Sequence, residues 1–164
     1  MRRLGAAALA LGAGLLAGCF FLRAPQVEGP ALMVGNLLGA VGEEVEIPLE
    51  VVGFPAPGVG GVLVGDLRYD PAVLRITGIE GRNGFVLLCA CLGEGRVKFA
   101  LVNPLEGLTS GTVGVLRAVR LGRGDPKFVL PPSALQVVDA ANVPVPGDTF
   151  VVRLGGAPLY GVRR

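Results

Sequence analysis

The sequence contains no histidine and no tryptophan, and only two of its 164 residues are tyrosine. Without imidazole, Ser–His and Cys–His nucleophiles and most zinc hydrolase sites are excluded. Without tryptophan, the aromatic platforms on which carbohydrate modules stack sugars are hard to build. Phe85, Phe99, Phe128 and Phe150 fall in strand-like runs and read as core, which leaves Tyr160 as the exposed aromatic. No glycine-rich loop leads into a helix as phosphate cradling requires, and no DxDxDG calcium loop occurs. Asp66 and Asp70 are four apart, but Pro71 makes a structural turn the better reading than a paired acid and base. The expectation is a chain that is not an enzyme, with no catalytic residues, no metal ligands and no cofactors.

The apolar stretch near the start is not read as a permanent membrane span either. Leu4–Leu15 is too short to span a bilayer as a permanent helix, and it follows the basic pair Arg2-Arg3. Leu16-Ala17-Gly18-Cys19 comes next and matches the lipobox of bacterial lipoproteins. That match implies a signal peptide over 1–18, removed to leave a diacylated Cys19 as a membrane anchor. An ordinary secretory signal or a short membrane anchor is the plainer alternative. Residues 19–30 read as the lipidated cysteine and a tether. Phe20 behind the cysteine favours the outer membrane or cell surface, so the expected place is the cell envelope, outside the cytoplasm. Without Arg2 and Arg3, the 15 basic residues become 13 and equal the 13 acidic ones. A formally neutral chain with no basic run sets nucleic acid aside as a partner.

Cys89 and Cys91 are the remaining cysteines, two apart in the run Phe85–Leu92. They read as buried thiols sharing a strand face with Phe85 and Leu87. A disulfide between them strains the geometry, and a metal pair lacks further ligands.

What the sequence has in quantity is glycine (27), proline (13) and short apolar runs. One all-β domain follows, a sandwich or barrel of about nine strands over 31–155, with 156–164 as a tail. Ala31–Leu38 is the first strand. Glu44–Val52 alternates most clearly, with Val45, Ile47, Leu49 and Val51 inward. Pro48 removes a ladder donor and is expected at or near a sheet edge. Gly61–Tyr69 places Leu63, Leu67 and Tyr69 on one face and Val62, Val64, Asp66 and Arg68 on the other. It stops at Tyr69-Asp70-Pro71, read as a structural turn. Phe85–Leu92, apolar on both parities, is expected to be buried on both faces. Arg96–Val102 points Val97, Phe99 and Leu101 inward. Thr112–Leu121 has Val115, Val119 and Leu121 on one parity, but Arg117 shares it.

The Gly-Glu-Glu-Val-Glu-Ile-Pro-Leu stretch, the strand with its Tyr-Asp-Pro turn, Gly111–Leu116, Asp139-Ala140-Ala141-Asn142 and the closing strand resemble, in that order, the motifs of cohesin domains. That resemblance implies a nine-stranded jelly-roll sandwich and a non-catalytic role in binding another protein of the dockerin type. In cohesins the partner docks on an exposed sheet face. The corresponding residues here are Val62, Val64, Asp66 and Arg68, then Arg96, Lys98, Ala100 and Val102, then Leu116, Ala118 and Arg120. The alternatives are a carbohydrate-binding module, for which polysaccharide is the less favoured partner, and a structural lipoprotein of an envelope or pilus assembly.

Overall fold

In the computed structural model, which describes residues 29–155, nine strands form two packed sheets. They are β1 (Ala31–Val34), β2 (Glu44–Val52), β3 (Val59–Arg68), β4 (Leu74–Gly81), β5 (Val86–Gly93), β6 (Arg96–Val102), β7 (Gly111–Arg120), β8 (Leu135–Asp139) and β9 (Val151–Leu154). One sheet runs β4-β7-β2-β1-β9 and the other β5-β6-β3-β8. Every pairing is antiparallel except β1 with β9, which is parallel. The all-β sandwich read from the sequence is therefore the fold. The leader 1–18, Cys19, most of the tether and the tail 156–164 lie outside the described residues.

The inward rows of both sheets make a single core. Phe99, Leu32, Ile47, Leu67, Leu74, Leu101 and Leu116 are its largest fully buried side chains. Phe54 and Phe150 close one end with ring centroids 5.6 Å apart. Among the described residues, no buried side-chain nitrogen or oxygen lacks a hydrogen-bond partner.

β2 follows its alternation, and Val45, Ile47, Leu49 and Val51 are buried. It is not an edge strand, however, because it lies between β7 and β1. Proline is tolerated here because β1 is short. Pro48 stands opposite Gly35, just past the last residue of β1, and its carbonyl accepts from the Gly35 N–H at 2.8 Å. The missing donor thus faces the spot where the neighbouring strand has ended. A Cβ on Gly35 would come within 2.6 Å of the Pro48 ring, so glycine is needed there. The first strand accordingly stops at Val34 instead of reaching Leu38.

β5 also departs from expectation. All eight of its residues are exposed, and it is the terminal strand of its sheet. Continuous apolar character implied burial on both faces, but one side of this strand has no neighbour to provide it. Cys89 and Cys91 are consequently exposed free thiols rather than buried ones. A register shift between Leu87 and Cys89 also takes the cysteines off the parity of Leu87.

The Tyr69-Asp70-Pro71 turn ties the sheets together at one end. Tyr69 is buried; its hydroxyl donates to the Gly93 carbonyl at 3.1 Å and accepts from the Ile76 N–H at 3.4 Å. The Asp70 carboxylate accepts from the Ala72 N–H at 2.9 Å, the local turn expected of Asp before Pro.

Candidate docking face

The four-stranded sheet has one face in the core and one turned outward. Its register brings outward residues into transverse rows. Val138, Gly61, Val102 and Val86 form the first row, crossing β8, β3, β6 and β5 in that order. Gln136, Leu63, Ala100 and Cys89 form the second, and Lys98 stands beside Cys91 in the third. Arg68 and Arg96 pair at the far end. The face thus grades from apolar to basic. Leu63 is 37% exposed and Val86 47%, values that decide that this apolar end is open to solvent.

At the basic end Asp66 bridges two arginines. Its carboxylate lies 2.7 Å from the Arg68 Nη2 and 3.2 Å from the Arg96 Nε. The hydrogen bond from Arg68 is the main cause that holds the Asp66 carboxyl below the usual carboxylate range, and both guanidinium charges add to it. Asp66 is thereby kept ionised, and it fixes the two guanidinium groups that border the apolar rows.

Several residues that sequence reasoning placed on this face are elsewhere. Val62 and Val64 are buried. The pairing of β3 with β6 shifts register between Val64 and Leu67, and this bulge reverses the parity halfway along the strand. Leu63 therefore points outward before the bulge, and Asp66 and Arg68 point outward after it. Ala100 has outward parity but is buried beneath its larger neighbours. Leu116 and Ala118 are core residues of β7, a strand of the opposite sheet. They pair with Ile47 and Val45 and so face inward, and Arg117 faces water. Arg120 also belongs to that other sheet. Its guanidinium donates to the carbonyls of Gly39, Gly122 and Gly124, clamping loops. Of the expected set, Asp66, Arg68, Arg96, Lys98, Ala100 and Val102 come together; Val62, Val64, Leu116, Ala118 and Arg120 do not join them.

Leu63, Val86, Cys89, Cys91, Gln136 and Val138 were missed. Gly65 in mid-strand was a usable sign of the β3 bulge, and Arg117 on a supposed inward parity was a sign that β7 had been read on the wrong face.

Among the described residues no cluster of three His, Cys, Asp or Glu side chains could hold a metal ion. No family model matches the sequence. A 56-residue stretch is 39% identical to cellulosomal-scaffolding protein B of Acetivibrio thermocellus, which covers 34% of this chain but only 7% of that protein. Whole-fold similarity is broader. The type II cohesin dyad from the adaptor scaffoldin of Acetivibrio cellulolyticus superposes with a TM-score of 0.64 at 14% identity, over 81% of this chain and 50% of that one. The sixth cohesin of scaffoldin B from Acetivibrio cellulolyticus, solved in complex with a dockerin, gives 0.56 at 15% identity over 77% and 99%. The chain has the cohesin fold. At such identities the shared property is the cohesin architecture.

Proposed function

We propose that this chain is a non-catalytic module that binds another protein, of the dockerin type, on the outer face of its four-stranded sheet. The observation that carries the reading is the exposed Leu63 and Val86, in adjacent rows with half-buried Val102 between them, beside Arg68, Arg96 and Lys98 on a cohesin fold. An antiparallel sheet with one solvated face ordinarily turns polar residues outward. Exposed apolar side chains bordered by charge mark protein contacts. The dockerin bound to the Acetivibrio cellulolyticus cohesin supports the class of partner. We further place the module outside the cytoplasm, held to a membrane by lipid on Cys19. The basic pair, the short apolar run and the Leu-Ala-Gly-Cys box support that placement.

Calcium-loaded dockerin domains, titrated calorimetrically against the full chain, test the partner. The variant Leu63→Asp/Val86→Asp tests the face. Wild type should bind at least one dockerin, and the variant should lose about tenfold or more in affinity while melting as wild type does. Equal binding by a folded variant would remove this face from the reading, and failure of every dockerin would remove the partner class. The anchor is tested separately: Cys19→Ala should leave the membrane fraction and stop incorporating labelled fatty acid.

A further inference from the structure

The two sheets end in four strands, and three of those edges are protected against pairing with another chain. Val143–Val145 doubles back along β8, with the Asp139 N–H donating to the Val143 carbonyl and the Val145 N–H to the Val137 carbonyl. β9 has only four residues. β4 carries Arg75 and Glu80 and is bulged between Ile76 and Gly78. Short edges, charges, bulges and covering loops are the devices by which sheets avoid edge-to-edge association.

β5 has much less protection. It is eight residues long and contains neither charge nor proline, and among the described residues no strand pairs with its outer edge. Its one irregularity sits at Leu88, so the ladder from Cys89 to Gly93 is regular. The end of the strand is also held in place, by the Tyr69 hydroxyl on the Gly93 carbonyl. What can satisfy a row of free N–H and C=O groups is another strand.

The sequence of this edge indicates which strand. Leu88-Cys89-Ala90-Cys91-Leu92 reads the same in both directions. A two-fold axis relates residue i of one copy to residue j of the other and j to i. We propose that β5 pairs antiparallel with β5 of a second copy of this chain, on a two-fold axis through Ala90. Leu88 then lies opposite Leu92 of the other copy, and Cys89 opposite Cys91, twice over. With no charge between Val86 and Gly93, no like-charge repulsion opposes this register. The contact uses the backbone edge of β5, and its opposed thiols lie at the border of the docking face, so the two surfaces adjoin.

The opposed thiols provide the readout. Directly opposite residues of an antiparallel pair have Cα atoms roughly 4.5 to 5.5 Å apart, within the range a disulfide spans. With oxidised glutathione as the oxidant, a thiolate of one copy displaces one glutathione to form a mixed disulfide. The opposed thiolate of the other copy then attacks the protein sulfur and displaces the second glutathione. Two protein thiols and one glutathione disulfide become one protein disulfide and two glutathione thiols, with electrons balanced.

The test uses the full chain carrying Cys19→Ser, so that only Cys89 and Cys91 can react. Reduced protein should sediment as a dimer, and glutathione disulfide should give a covalent dimer whose peptide map contains Cys89 joined to Cys91. Leu88→Lys/Leu92→Lys sets like charges opposite each other and should give a monomer with an unchanged melting curve. Mixing it with Leu88→Glu/Leu92→Glu should restore a dimer, a rescue that a merely misfolded variant could not show. A monomeric wild type, an open-ended series of larger species, a Cys89–Cys89 or Cys91–Cys91 product, or a mixture that stays monomeric would each overturn the proposal.

Discussion

On the outer face of the five-stranded sheet, Glu46, Glu80, Arg82 and Arg117 close a ring of ion pairs. Arg117 reaches Glu80 at 2.7 Å and Glu46 at 3.4 Å; Arg82 reaches the same two carboxylates at 2.8 and 3.8 Å. The outer face of the four-stranded sheet offers water Leu63, Val86 and two thiols instead, with its charges gathered at one end. Both faces stand on the same core, so burial alone does not decide their composition. The first is satisfied within the chain. The second keeps apolar area that nothing among the described residues covers. A module of this size can leave one face unfinished because the opposite sheet and the shared interior supply its stability.

The contrast is broken most severely from inside. Leu116 lies under the ion-paired face and Leu63 on the open one, although sequence parity put Leu116 outside. Leu116→Ala should cost about 2 to 5 kcal/mol in denaturant unfolding, and Leu116→Asp should abolish the folded state. Leu63→Asp should leave the unfolding midpoint nearly unchanged. If the two aspartates cost the same, the assignment of faces is wrong.

Tyr69→Phe comes next. It keeps the buried ring but removes the donor to Gly93 and the acceptor for Ile76, for an expected loss of about 1 to 2 kcal/mol by the same measurement. Acid should separate the faces less sharply. Asp66 and Glu80 are both held below the ordinary carboxylate range, chiefly by hydrogen bonds from Arg68 and from Arg117, respectively. A lowered folded-state pKa gives stabilisation that is complete above the ordinary carboxylate value, about 4, and is lost as pH falls through the lowered one. Melting temperature should therefore hold near neutrality and decline below about pH 4. Arg68→Leu should flatten the contribution from Asp66 alone. The smallest effect belongs to Arg117→Met. The ring is solvent-exposed, so its loss should lower the melting temperature slightly in dilute buffer and vanish near 1 M salt, roughly where screening reaches a few ångströms.

Local periodicity was legible where nothing interrupts it. β2 keeps its alternation throughout, because the extra residue at its one register shift, Val113, falls on β7, and its inward set could be read directly. β3 could not be read the same way, because one extra residue near Gly65 exchanges the two faces and leaves Leu63 outside. β7 was misread through parity alone, with Arg117 as the neglected warning. The sheet to which each strand belongs is set by the order β4-β7-β2, contacts between distant parts of the chain that no short window contains. β5 was the hardest. An apolar run reads as buried, and only the sheet order reveals that this one is an edge.

The parallel pairing of β1 with β9 has a mechanical consequence. Ala31 lies beside Val151 and Val34 beside Leu154, with the Val151 N–H bonded to the Pro30 carbonyl and the Gly155 N–H to the Val34 carbonyl. The domain's first and last strands run side by side in the same direction. A tension drawn between the two chain ends therefore acts along these strands and shears their hydrogen bonds together, whereas an antiparallel pair pulled from adjacent ends would unzip one bond at a time. A domain with this terminal pairing resists being drawn out from its ends.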